Sequence, residues 1–161
     1  MNRKSFFTHL FPLGIGLPLA TKKNIFNAAN HILPEEVNTI PAYLKKGDCI
    51  GITSPAGSIS YDEIQPAVKK MEEWGFTVKV GNTIGKKDFT FGGTDEERSN
   101  DFQQMLDDDS VKAIMCGRGG DGAVRIIDHL NFKRFIKKPK WIIGFSDATV
   151  LHNHIHRNCG T

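Results

Sequence analysis

The sequence predicts an α/β domain, a parallel sheet with flanking helices on both faces. Two observations carry this. Short apolar runs alternate four times with segments of helical period, an order that calls for parallel strands joined by helical crossovers. Three of the loops that follow the apolar runs are rich in small and polar residues. In parallel sheets ligands collect at such loops, beyond the carboxyl ends of the strands. The length of 161 residues suits one domain with a proper core.

The elements follow in order. "LKKGDCIGITSPAG" reads as a turn, a short buried strand Cys49 to Thr53, and a Ser-Pro-Ala-Gly loop. Asp62 is a plausible helix cap, and Ile64, Val68, Met71 and Trp74 recur at helical spacing up to Gly75. "FTVKVG" is a second strand, and the loop from Asn82 to Gly93 carries no pattern. Thr94 and Glu97 form a capping box for a helix with Phe102, Met105 and Leu106 on its apolar face. "VKAIMC" is a third strand, "GRGGDG" a glycine-rich loop, and Ala123 to His129 a short helix. "WIIG" is the fourth strand. A last helix runs from about Asp147 to Arg157, with Gly160 as its stop.

Residues 1–40 stand apart from the folded part, 41–161. Arg3 and Lys4 precede Phe6 and Phe7 and an interrupted apolar stretch to Ala20, the pattern of an export signal. Against that reading, the apolar run is short and no small-residue cleavage site follows. The alternative is an unpacked leader. Localisation therefore stays open between export to the periplasm and the cytoplasm. The run is too short to span a membrane.

Composition excludes several classes. Hydrophobic residues make up 39% and charged residues 24%, an ordinary globular balance. A net charge of +3, with scattered lysines and arginines, does not point to nucleic acid. Cys49, Cys116 and Cys159 are odd in number and widely spaced, so neither a disulfide framework nor a zinc site is indicated. They read as buried thiols.

Chemistry concentrates in two segments. In "CGRGGDGAVR", glycines after a strand and before a helix let backbone N–H groups face an anion. That anion is either a phosphate or the oxyanion of a tetrahedral intermediate, and a plain tight turn is the third reading. No Walker motif and no complete dinucleotide fingerprint supports the phosphate. In "WIIGFSDATV", a buried strand, then Gly-x-Ser, then a helix is the layout of a nucleophile elbow, with Ala148 where the motif has glycine. Ser146 is equally read as an ordinary helix cap.

Together, "ITSPAG", "IMCGRGGDGAVRIIDHLNF" and "KKPKWIIGFSDATVLH" resemble the N-terminal half of the LD-carboxypeptidases, serine peptidase family S66. That family includes muramoyltetrapeptide carboxypeptidases and microcin C immunity peptidases. The resemblance covers roughly 41–161. It implies an N-terminal domain like that of the class I glutamine amidotransferases, with Ser146 as nucleophile. It places the oxyanion hole at the backbone N–H groups of Gly120 and Asp147, and it makes Ser54 and Asp121 candidate substrate contacts. Arg118 and Arg125 match the loop motif, Arg125 as an anchor for its helix. No metal or organic cofactor is implied.

Two departures qualify the resemblance. Asp121 stands where the family shows tyrosine or another aromatic, and a carboxylate facing the site would oppose an oxyanion. The family's C-terminal domain supplies a glutamate and a histidine, and the sequence ends at Thr161. The expectation is a half enzyme, incomplete for catalysis. His152 does not fill the gap: it lies roughly 9 Å further along the helix axis than Ser146, beyond the reach of a base. His152 and His156 have metal-binding spacing but no third ligand.

The partners expected are a peptidoglycan-derived peptide or peptidyl small molecule, the missing domain, and a second copy as a homodimer. The competing functions are a non-catalytic peptide-binding module and a nucleotide-binding α/β domain.

Overall fold

The computed structural model describes residues 39–161. The expected leader therefore lies almost wholly outside the described residues. The elements are β1 (Cys49–Thr53), α1 (Tyr61–Glu73), β2 (Thr77–Val80), α2 (Asp95–Asp107), β3 (Val111–Cys116), α3 (Ala123–Ile126), α4 (Lys133–Lys137), β4 (Trp141–Ile143) and α5 (Thr149–Cys159). Short 3-10 turns at Ile127–His129 and Ser146–Ala148 extend α3 and introduce α5.

All four strands are parallel, in the order β2-β1-β3-β4. The chain steps outward from β1 to β2, then crosses back over β1 to reach β3. That reversal puts helices on opposite faces and opens a crevice between the ends of β1 and β3. The core divides accordingly. On one face Ile64, Val68 and Met71 of α1 pack on Ile50 and Ile52 of β1. On the other, Phe102, Met105 and Leu106 of α2 join Ile114, Phe135, Leu151 and Ile155.

Local chemistry sets the helix starts. Thr94 and Glu97 form the expected capping box of α2. For α1 the expected cap at Asp62 is corrected. Ser60 is the cap: its hydroxyl accepts the Glu63 N–H at 3.3 Å, and Glu63 Oε2 accepts the Ser60 N–H at 2.8 Å. The reciprocal Ser-x-x-Glu pair satisfies two orphan donors, which Asp62 in the first turn does not do. Helix α4 was not expected. Only Phe135 of its five residues is buried, which is too little for a periodic signal. Gly160 ends α5 in the left-handed conformation, φ 65°, as expected.

The loop from Asn82 to Gly93 also proves ordered. Asp88 and Phe91 exchange hydrogen bonds of 3.0 and 2.9 Å, and Gly57 bridges to Phe91. Beneath it the buried Asp101 carboxylate accepts the hydroxyls of Thr53 and Thr83, each at 2.6 Å, and the Asn82 N–H at 2.7 Å. This buried brace joins the end of β1 to the loop after β2.

Candidate active site

Three strand-end segments meet over the crevice: Ser54–Ser58 after β1, Gly117–Gly122 after β3, and Gly144–Asp147 after β4. Strand β4 is too short to carry the chain past the sheet, so the turn follows at once. Phe145 is extended, and Ser146 then adopts φ 58°. Only Ser146 and Phe89 among the described non-glycine residues have positive φ. A serine in the left-handed region is strained, and such strain clusters at functional sites.

The turn is fixed from below. Thr149 Oγ1 donates to the Ser146 carbonyl at 2.6 Å, and the Ala148 N–H donates to the Phe145 carbonyl at 3.2 Å. Neither the 3-10 turn nor α5 has a side-chain cap, so Ser146 is not the N-cap that one reading allowed. Ser146 is exposed, held on a sharp strand-to-helix turn.

The glycine loop lies directly against this serine. A Cβ on Gly119 would come within 2.9 Å of Ser146 Cβ and 3.1 Å of its Oγ. Gly119 was overlooked in the sequence. The signal for it was the Gly119–Gly120 pair, which needs two close approaches rather than one. Gly120 has φ 143° and packs on Gly57, whose N–H donates to the Gly119 carbonyl at 2.8 Å. A Cβ on Gly57 would strike that carbonyl at 2.5 Å. The glycine of "SPAG" thus lets the first loop interlock with the second.

Asp147 contributes through its side chain as well. Its Oδ2 accepts the Ala123 N–H, the first of α3, at 2.7 Å. A carboxylate therefore already occupies the helix start that a phosphate-binding loop would present to its ligand. This argues against the nucleotide reading. As the second residue of a 3-10 turn, Asp147 has no partner for its own N–H within the turn. No other loop hydrogen bond among the described residues engages the N–H of Gly120.

Ser54 and Asp121 are placed differently from each other. Ser54 is fully buried: its N–H donates to Thr83 Oγ1 at 2.8 Å and its hydroxyl to the Gly57 carbonyl. It shapes the first loop from within. Asp121 is exposed within the glycine loop. Arg125 grips Asp95 with Nε and Nη2 at 2.7–3.0 Å and so anchors α3 to α2, as expected. Arg118 donates to the Ser58 carbonyl at 3.2 Å, tying the glycine loop to the first loop.

The thiol nearest the elbow is not a second nucleophile. Cys116 is buried under the elbow, where burial and then the Asp147 charge push its thiol up to about 12. It is inert as a nucleophile near neutral pH. His152 has a buried Nε2 with no hydrogen-bond partner. It lines a cleft of about 220 Å³ with Lys140, Trp141 and His156. That cleft reaches the start of β4, whereas Ser146 lies beyond its end. No cluster of three metal-ligating side chains occurs among the described residues.

The fold and site define a class: an α/β domain that presents a strained serine beside a glycine loop at the carboxyl ends of parallel strands. Residues 50–161 match the LD-carboxypeptidase N-terminal domain, and the chain belongs to that family, peptidase S66. It is 38% identical over 124 residues to the probable murein peptide carboxypeptidase of Bacillus subtilis, covering 77% of this chain and 39% of that protein. It is 32% identical to the microcin C7 self-immunity protein MccF of Escherichia coli, covering 75% and 36%. The structure of MccF with aspartyl sulfamoyl adenosine superposes with a TM-score of 0.72 at 30% identity, covering 76% of this chain and 37% of that one. The chain thus spans well under half the length of these relatives.

Proposed function

We propose that this chain is the nucleophile-bearing domain of a serine LD-carboxypeptidase that releases the terminal D-amino acid from a murein tetrapeptide. The observation that carries the reading is Ser146, strained at φ 58° and backed by Gly119. In this reading Ser146 Oγ attacks the carbonyl of the L–D peptide bond while a base takes its proton. The N–H groups of Gly120 and Asp147 stabilise the oxyanion. The tetrahedral intermediate expels the D-amino acid, with the base returning a proton to the leaving amine, and water then hydrolyses the acyl-enzyme. Relatives named murein peptide carboxypeptidases support the substrate class. The likeness to MccF with aspartyl sulfamoyl adenosine supports an aminoacyl or peptidyl small molecule as the alternative substrate.

No histidine or glutamate hydrogen bonds to Ser146 among the described residues, so the base comes from elsewhere in this reading. The test is a titration of the isotope-labelled chain with murein tetrapeptide, read by amide chemical shifts. Shifts centred on Gly120 and Asp147 are expected, and their absence overturns the site. Release of D-amino acid is expected only when a histidine–glutamate pair is supplied. Turnover by residues 1–161 alone, abolished by Ser146→Ala, contradicts that part of the reading.

A further inference from the structure

Arg98, on α2, is the largest fully buried side chain of the described protein. A buried guanidinium needs every donor matched, and its partners here are mostly loop carbonyls. Nη1 donates to the Pro55 carbonyl at 2.6 Å and to the Gly122 carbonyl at 2.8 Å. Nε donates to the Gly93 carbonyl at 3.2 Å, and Nη2 pairs with Asp95. Phe91 packs across the guanidinium, 4.9 Å from its centre. One side chain thus ties the loop after β1, the glycine loop after β3 and the start of its own helix.

These anchor points flank the site on both sides. Pro55 lies two residues before Gly57, which is bonded to Gly119. Gly122 lies directly before Ala123, which is bonded to Asp147. Burial lowers the proton affinity of Arg98, while the charges of Asp95 and Asp147 act in the opposite direction.

We propose that Arg98 is a positioning residue for the reaction at Ser146: its Nη1, shared between the Pro55 and Gly122 carbonyls, holds the glycine loop in the conformation that presents oxyanion donors. Its chemical consequence rests on the serine reading above; its geometric content does not. Lysine keeps the charge but lacks the planar fork, so it cannot hold both carbonyls while also donating to Gly93 and Asp95.

The experiment compares wild type with Arg98→Lys, Arg98→Met and Asp95→Asn. The first readout is amide exchange at Gly57 and Ala123, whose N–H groups tie the glycine loop to the first loop and to the elbow. Both are expected to exchange at least about tenfold faster in Arg98→Lys, with the β1 and β3 amides unchanged. Asp95→Asn loosens the Arg125 anchor of α3 but leaves the Arg98 carbonyl contacts, so Gly57 is expected to stay within about twofold of wild type there. Wild-type exchange at Gly57 and Ala123 in a folded Arg98 variant overturns the proposal, as does an equal effect at Gly57 in Asp95→Asn. Should Arg98→Met not fold, Arg98→Lys still decides.

The second readout is binding. Affinity for a peptide boronate, which mimics the tetrahedral intermediate, is expected to fall about tenfold or more in Arg98→Lys, while tetrapeptide affinity changes less than about twofold. Equal losses for both ligands mark a merely structural role and overturn the proposal. A wild-type chain that binds no boronate counts against the serine chemistry, and amide exchange then decides the role of Arg98 alone.

Discussion

Asp147 Oδ2 accepts the backbone N–H of Ala123 at 2.7 Å, so the residue after Ser146 clasps the end of the glycine loop. In the proposed reading the same residue offers its own N–H to the oxyanion while its carboxylate holds the opposite wall. Elbow and loop cannot move independently while this bond persists. Asp147→Ala leaves the Ala123 N–H without its acceptor, in a fully buried residue. The expected cost is about 1–3 kcal/mol of stability. Asp147→Asn keeps an oxygen acceptor and is expected to cost less. Urea unfolding of the two variants checks the order, and equal stabilities would refute it.

The strain at Ser146 gives a second expectation. A side chain at φ 58° carries a penalty that glycine does not. Ser146→Gly is therefore expected to be more stable than Ser146→Ala by about 1 kcal/mol. Both variants lack the hydroxyl, so their difference isolates the backbone. Unfolding midpoints measured side by side decide it, and an alanine variant as stable as the glycine one sinks the idea of a strained elbow.

Gly119→Ala tests the close approach behind the serine. The new Cβ would meet Ser146 Cβ at 2.9 Å, well inside contact. Either loop or elbow must shift, at an expected cost of about 1–3 kcal/mol. Peptide boronate affinity is expected to fall about tenfold or more, since donors and nucleophile no longer share one geometry. Calorimetric titration measures this, and unchanged affinity argues against the assembled site.

Asp95 provides the pH dependence. The hydrogen bond from Arg125, then the charges of Arg125 and Arg98, hold its carboxyl below the usual 3.8. A lowered folded value means that the unfolded chain binds more protons on acidification. The Asp95 contribution is therefore complete above about pH 4 and lost as pH falls through the folded value. In Asp95→Asn this component is gone. Its urea midpoint is expected to drop less steeply between pH 5 and pH 3 than that of wild type. A parallel drop would show that Asp95 does not carry the effect.

Much of the fold was legible because the signals are local. "CIGIT" and "VKAIMC" are short, largely buried runs, the second broken by the exposed Lys112, and both strands form where the sequence places them. Thr94 and Glu97 specify a helix start within four residues. Where two local signals competed, the sequence was ambiguous. Ser60 and Asp62 both suit a cap, and only the reciprocal bond with Glu63 separates them. Helix α4 escaped notice because its one buried residue, Phe135, is held by α2 and α5 rather than by any periodicity of its own.

The site divides in the same way. By itself the sequence determined that a glycine loop and a Gly-x-Ser turn follow parallel strands, because residue types alone dictate where the backbone can bend. Spacing alone left Ser146 open between cap and nucleophile, and only the resemblance to the LD-carboxypeptidases favoured the nucleophile; the structure excludes the cap. Nor could the sequence show that Gly57 interlocks with Gly119, that Ser54 turns inward, or that Arg98 ties the loops together. Those contacts join residues far apart in the chain. They exist only because the sheet order brings β1 beside β3, and a buried guanidinium must then find its acceptors among whatever carbonyls the packing supplies.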